Sequence, residues 1–154
     1  MRGARVSSGV RFIQTEFGQI FIGARSRIMT QSILAPYKHG SISIGADCTV
    51  NPFCILYGHG GLKIGDRVRI AAHTVIIPAN HNLGYDEIGS FRDLGLTKKG
   101  IVIGSDVWIG SGVRILDGVN ICDKVVIGAG SVVTKNITVS GTYVGNPAKF
   151  MGTK

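Results

Sequence analysis

Between Ile101 and Val133 the chain obeys a period of six. Ile103, Ile109, Ile115, Ile121, Ile127 and Val133 follow one another without a miss. Gly comes directly after the lead residue at 104, 110 and 128, and Val recurs four residues after a lead at 107, 113, 119 and 125. Neither an amphipathic helix nor an alternating strand repeats this way, since their periods are about 3.6 and 2. A six-residue period marks a parallel β-helix in which each hexad makes one short strand and one turn, and three hexads close a triangular coil. Residues three hexads apart then stack, and the aliphatic leads fill the interior. Gly104, Asp106, Gly110, Asn120 and Asp123 suit tight corners, where φ is often positive.

The rule extends upstream. Ile64, Ile70 and Ile76 form one triplet, Ile44, Val50 and Leu56 another, and Ile22, Ile28 and Leu34 a looser third. Ordinary buried strands would explain the aliphatic richness but not the fixed spacing. A chain of 154 residues with this rule through most of its length reads as one solenoid domain. Residues 1–21 are basic, with Phe12, Phe17 and Phe21 available to cover the open end as an N-terminal cap. Residues 22–78 give the first coils, 79–100 a projecting loop, 101–138 the C-terminal coils, and 139–154 a C-terminal extension. The pair Gly60–Gly61 lengthens the step between Ile44 and Ile64 and predicts an enlarged corner.

From Ala79 to Gly100 no hexad can be placed. An irregular insertion of this length in a regular solenoid projects from a corner and is usually functional or disordered. It carries His81, Tyr85, Phe91, Lys98 and Lys99 with Asp86, Glu87 and Asp93, a mixture that suits a site wall.

The net charge of +8 asks for an anionic partner. No aromatic–basic interleaving or nucleic-acid motif accompanies it, so an anionic cofactor or sugar nucleotide is a sharper expectation than nucleic acid. Cys48, Cys54 and Cys122 are odd in number, and the first two occupy the position Val takes in other hexads. They read as small buried hydrophobes, with no metal site and no disulfide framework. The N-terminus lacks the apolar run of a signal peptide and no stretch reaches membrane-spanning length, so a cytoplasmic protein is expected.

The hexads, the loop with Asn80–His81–Asn82, the run Val107–Trp108–Ile109–Gly110, the segment from Ile127 to Lys135 (IGAGSVVTK) and that from Val144 to Lys149 (VGNPAK) together resemble the hexapeptide acetyltransferases. Within these the chain is similar to the sugar O-acetyltransferases: the galactoside and maltose enzymes and those that acetylate bacterial surface polysaccharides. The resemblance covers about residues 42–150. It implies an all-β fold, a left-handed parallel β-helix with one projecting loop, which departs from the usual right-handed crossover. It also implies a homotrimer with acetyl-CoA bound between subunits.

Residue by residue, the resemblance gives His81 the role of general base, and neutral imidazole has the pKa for that task. Asp86, Glu87, Asp93 or a backbone carbonyl would orient it. Asn51, and Tyr85 in the loop, take acceptor-binding places; a corner Asn of purely structural use is an equal reading of Asn51. Trp108 lines the acetyl or pantetheine channel, and the backbone N–H of Ser111 faces the thioester carbonyl as an oxyanion donor. The Ala129 backbone meets the pantetheine arm. Thr134, Lys135 and Lys149 lie toward the nucleotide end, Lys149 where the family often has Arg.

The expected reaction is direct acetyl transfer to a hydroxyl of a sugar, nucleotide sugar or surface-polysaccharide precursor, without an acyl-enzyme. Transfer to the amine of an amino sugar is the close alternative. A metal enzyme like the γ-class carbonic anhydrases needs a His pair five residues apart, which His39, His59, His73 and His81 do not supply. A non-catalytic ice-binding β-helix would show ranks of Thr at coil spacing, and there are none. The loop is longer than in the galactoside and maltose enzymes, and their N-terminal helical region has no counterpart. Both differences bear on the acceptor and leave the acetyl-CoA half of the site untouched.

Overall fold

The computed structural model describes residues 3–13, 15–84 and 90–153. In it the hexads wind into three parallel sheets that form the faces of a prism. The first face stacks β1 (Arg5–Val6), β4 (Arg27–Ile28), β7 (Thr49–Val50), β10 (Arg69–Ile70), β15 (Trp108–Ile109), β18 (Val125–Ile127) and β20 (Gly141–Val144). It ends on the antiparallel β21 (Lys149–Gly152). The second face stacks β2 (Arg11–Phe12), β5 (Ile33–Ala35), β8 (Ile55–Tyr57), β11 (Val75–Ile76), β16 (Arg114–Ile115) and β19 (Val132–Val133). The third stacks β3 (Gln19–Ile22), β6 (Ser41–Ile44), β9 (Leu62–Ile64), β14 (Ile101–Ile103) and β17 (Asn120–Ile121). One antiparallel pair stands outside the prism, β12 (Asn80–His81) with β13 (Leu96–Thr97).

The period of six has a direct physical reading. Every lead from Ile22 to Val133 is buried, and leads stack on leads: Ile28 on Val50, Val50 on Ile70, Ile70 on Ile109, and Ile109 on Ile127. At the two corners of constant step, the residue four after the lead also points inward. Val68, Val107, Val113 and Val125 fill this place in most coils, while Ser26, Ser32, Cys48 and Cys54 do so nearer the N-terminus. These two serines are satisfied: Ser26 Oγ donates to the Gly45 carbonyl at 2.8 Å and accepts from the Cys48 N–H at 2.9 Å, and Ser32 Oγ donates to the Asn51 carbonyl at 3.0 Å. The N-terminal segment adds β1 and β2 to the ladder, with Val6 and Phe12 in lead positions at the open end. Ile137 continues the third face, and β20 with β21 closes the other end.

Glycines serve two different ends. The left-handed residue of each turn is the third after the lead, and on the corner joining the third face to the first it is Arg25, Asp47, Arg67, Asp106 and Lys124, with φ of 57–59°. Asp106 therefore sits where the sequence suggested. Gly104 and Gly110, one after the lead, do not take positive φ. A Cβ on Gly104 would come within 2.2 Å of Asp123 Oδ1 and 2.7 Å of its backbone N, and one on Gly110 within 2.6 Å of the Ala129 N. Close stacking of coils, not backbone handedness, keeps these positions bare.

All variation in coil length falls on one corner, the one joining the second face to the third. There the step between leads is Leu34 to Ile44, Leu56 to Ile64 and Ile76 to Ile103, against a constant six at the other two corners. Gly60 and Gly61 lie in this corner, as their sequence suggested, and so does the whole 79–100 insertion. Among the described residues no helix is long and apolar enough to cross a membrane.

Candidate functional site

The insertion leaves the prism on a short two-stranded stem. Asn80 pairs with Thr97 and His81 with Leu96, the Asn80 N–H donates to Thr97 Oγ1 at 3.1 Å, and Asn82 Nδ2 donates to the Leu94 carbonyl at 2.8 Å. Its base is tied down from the next coil by Asp117. That carboxylate accepts from Thr97 Oγ1 at 2.8 Å and from the backbone N–H groups of Lys99 and Gly100, both at 3.0 Å. Sequence reasoning missed Asp117. Its signal was an Asp two residues after a lead, three hexads beyond the insertion's end.

His81 is exposed on β12, and its Nδ1 lies 3.2 Å from the Phe91 carbonyl oxygen. A carbonyl only accepts, so the contact calls for a proton on Nδ1; in the neutral ring the lone pair is then on Nε2, the form a general base needs. Of the candidate orienting groups among the described residues, the one in contact with His81 is a backbone carbonyl. Asp93 is engaged elsewhere, accepting from Ser90 Oγ at 2.6 Å. Asp86, Glu87 and Tyr85 lie outside the described residues. Asn80, His81, Asn82, Leu83, Thr97 and Lys99 line an open hollow of about 510 Å³.

Three of the residues assigned to the acyl donor, Trp108, Ser111 and Ala129, lie on a different edge. Trp108 stands on the outer side of the first face, 58% exposed, between Arg69 and Val126 in register. Core packing is therefore not its role in the isolated chain. Ser111 and Ala129 are stacked at the corner joining the first face to the second, where the Gly130 N–H donates to the Ser111 carbonyl at 2.8 Å.

One comparison between corners is informative here. At the corner joining the third face to the first, the N–H groups of Ala46, Asp66 and Ser105 are each taken by a side chain of the next coil: Asp66 Oδ1, Ser105 Oγ and Asp123 Oδ1. At the equivalent places on the first-to-second corner, the N–H groups of Ala72, Ser111 and Ala129 find no acceptor among the described residues. The chain leaves a column of open backbone donors where a ligand's carbonyls could dock.

The remaining assigned residues are scattered in a single chain. Asn51 lies on the first-to-second corner, but its Nδ2 donates to the Ile70 carbonyl at 2.9 Å, and the left-handed residue of that turn is Phe53. Its geometry is that of a coil-to-coil tie with one amide oxygen to spare. Thr134 and Lys135 are exposed on the second-to-third corner, beyond Asp117, and Lys149 is exposed on β21. His81 thus shares a corner with Thr134 and Lys135, and Trp108, Ser111 and Ala129 share the neighbouring one.

The other histidines pack at corners. His39 stacks on Phe17 and His73 on Phe53, each at 5.1 Å between ring centres. His59 stacks on Tyr37 at 3.8 Å, and its buried Nδ1 has no hydrogen-bond partner among the described residues. Burial, helped by the charge of Lys98, lowers its pKa. Burial likewise raises the Cys48 thiol, and pushes Cys54 up to about 11, so neither is a ready nucleophile.

Residues 100–135 match the family described as bacterial transferase hexapeptide (six repeats). The chain is 40% identical over 112 residues to "Putative acetyltransferase SACOL2570" of Staphylococcus aureus (strain COL), covering 72% of this chain and 54% of that protein. The chain therefore spans about half the length of the curated relatives it matches. Among solved structures, it superposes on AntD, an N-acyltransferase from Bacillus cereus in complex with dTDP and 3-hydroxybutyryl-CoA, with a TM-score of 0.81. That match covers 97% of this chain and 79% of that one at 23% identity, a likeness of fold. It superposes on a maltose O-acetyltransferase from Clostridium difficile 630 with a TM-score of 0.58 and 27% identity, covering 99% of this chain and 67% of that one.

Proposed function

The chain is a hexapeptide-repeat β-helix similar in sequence and fold to acetyltransferases, and from that premise we propose that it transfers an acetyl group from acetyl-CoA to a hydroxyl of a sugar, nucleotide sugar or polysaccharide precursor. The observation that carries the reading is the placement of His81: its Nδ1 lies against the Phe91 carbonyl, its Nε2 has no hydrogen-bond partner among the described residues, and it lines a hollow with Asn80, Asn82, Leu83, Thr97 and Lys99.

In the proposed reaction the acceptor hydroxyl attacks the thioester carbon while His81 Nε2 takes its proton. The carbonyl oxygen becomes an oxyanion to which the open Ser111 N–H donates, a contact of a kind worth about 3–4 kcal/mol of barrier. Collapse of the tetrahedral intermediate expels the CoA thiolate, and the imidazolium returns the proton to sulfur. No acyl-enzyme is needed, which agrees with the raised thiol pKa values of Cys48 and Cys54.

His81 and the Trp108–Ser111–Ala129 edge lie on neighbouring corners of one prism, so the reading joins them across two copies of the chain. A homotrimer would set the insertion corner of one subunit against the donor-binding corner of the next. Thr134, Lys135 and Lys149 would then reach the phosphates of the donor, Trp108 and the Ala129 backbone its pantetheine arm, and Asn51 and Tyr85 the acceptor. The three unpaired thiols suit a reducing compartment, and the reading includes a cytoplasmic site of action.

The test is release of free CoA thiol from acetyl-CoA with sugars, nucleotide sugars and amino sugars, for the wild type and His81→Ala. A hydroxyl acceptor that drives release, with most of the rate lost in the variant, is the expected result. A response to amino sugars alone would move the reaction to N-acetylation. No thiol release with any acceptor would remove the transferase reading.

A further inference from the structure

The hollow beside His81 does not end at the insertion. Lys99, part of its wall, also lines a second hollow of about 400 Å³ on the third face. That hollow is built by strand register. Ser43, Lys63, Val102 and Asn120 occupy successive strands at paired positions, so their side chains leave the same side of the sheet at intervals of about 4.8 Å. Gly61, Gly100 and Gly118 form its floor along the insertion corner.

Among the described residues the lining holds two ammonium groups, three neutral polar side chains and no carboxylate. Arg25, Lys38 and Arg67 each have a carboxylate within 3.0 Å, whereas Lys63 and Lys99 pair with none among the described residues. The side chains of Ser41, Ser43 and Asn120 likewise make no hydrogen bond to any described residue. Asp117 is close in sequence to the floor, but its oxygens are occupied by Thr97 Oγ1 and the two backbone N–H groups. Lys99 is held in place by that same backbone bond and by its stem, which crosses Gly118 so closely that an added Cβ there would meet Lys99 Cδ at 3.1 Å.

Resting on the acetyl-transfer reading with His81 as base, we propose that the acceptor is an anionic sugar. Its phosphate or carboxylate lies between Lys63 and Lys99 on the third face, and its hydroxyl reaches His81 on the other side of Lys99. Together the two hollows hold a ligand of the size that such clefts usually take, a sugar with a charged substituent. Two lysines act as point charges and leave the rest of the substituent loosely specified.

The experiment is calorimetric binding to the intact protein, without acyl donor, of maltose, glucose 1-phosphate, UDP-glucose and glucuronic acid. It is run on the wild type, Lys63→Met, Lys99→Met and Lys63→Arg. At least one anionic sugar is expected to bind about 10-fold or more tightly than maltose, and to lose about 10-fold in either Met variant, the scale of one charge-assisted contact. Lys63→Arg should recover part of the loss, and added salt should weaken binding. The two phosphate ligands set against glucuronic acid separate phosphate from carboxylate.

Maltose binding as tightly as the anions, anion affinity unchanged in both Met variants, or no binding by any of the four would each overturn the proposal. So would a loss of acetyl-CoA affinity in Lys63→Met, which would give the hollow to the donor. Thiol release is measured separately, and its absence in a protein that retains the lysine-dependent anion site removes the transfer reading alone.

Discussion

The Nδ1 of His81 lies 3.2 Å from the carbonyl oxygen of Phe91, ten residues further along the same insertion, while the carboxylate of Asp93 turns away to Ser90. Among the described residues, the group against Nδ1 is a main-chain carbonyl, which fixes the tautomer and carries no charge of its own. Asp93→Asn should therefore change kcat for thiol release by less than about 3-fold, whereas His81→Asn should cost about 10²–10⁴-fold, the usual range for a positioned general base. A large loss in Asp93→Asn would show that a carboxylate orients the ring during turnover.

Asp117→Ala removes three hydrogen bonds at the base of the insertion and touches no face of the prism. The expected loss is about 1–3 kcal/mol of local stability, from bonds to a charged acceptor that is partly open to solvent. Native-state hydrogen exchange reads this directly. The Lys99 and Gly100 amides should exchange faster in the variant while those of Ile109 and Ile127 stay at the global rate.

Gly104→Ala and Gly130→Asn probe the two uses of glycine. The first puts a Cβ within 2.7 Å of a backbone nitrogen and should cost about 1–3 kcal/mol in urea unfolding, as overpacking does. At Gly130 no atom lies within 4 Å of an added Cβ and φ is +70°, a conformation Asn tolerates, so Gly130→Asn should cost less than about 1 kcal/mol.

His59 supplies a pH dependence distinct from that of the surface ion pairs. Its folded-state pKa lies below the ordinary 6.5 because burial disfavours the imidazolium, so the unfolded chain binds more protons. This contribution to stability is complete above about pH 6.5 and is lost as pH falls toward the folded-state value. Asp47 and Asp106, held down chiefly by hydrogen bonds from Arg25 and Arg67, act in the same direction but only as pH falls below about 3.8. His59→Phe, which keeps a ring against Tyr37, should flatten the upper part of the stability profile and leave the lower part unchanged. Thermal unfolding midpoints from pH 8 to pH 3 measure both.

The core was legible because a period of six leaves little choice: a residue that recurs every hexad points the same way in every coil, and every Ile, Leu or Val read as a lead is buried. The insertion was legible as the place where that rule fails. What could not be read was which atom serves which neighbour. Six positions apart, Gly104 and Gly110 look like turn glycines, yet stacking alone requires them, while several of the left-handed turns are made by Arg25, Phe53, His73 and Lys124, whose composition carries no turn signal. The Phe91 carbonyl has no side-chain signature at all. Asp117 acts across a whole coil, through register that only the assembled ladder defines. Asn51 read equally as an acceptor contact or a corner residue, and the sequence could not show that its Nδ2 is tied to the next coil.

Two corners of the prism turn with a constant step, and the third takes up every surplus residue, from the short loop at Tyr57–Gly61 to the long one bearing His81. The scaffold therefore works as a ratchet with one free tooth. Segments can be exchanged at that corner like cartridges, because the ladders on either side re-engage in the same register whatever length of chain lies between them. The edge of Ser111 and Ala129, proposed to face the donor and set on a corner that never varies, would keep its spacing through such exchanges. Selectivity for new acceptors should thus be transferable by grafting 79–100 together with the third-face residues around Lys63, with the hydrophobic interior left as it stands.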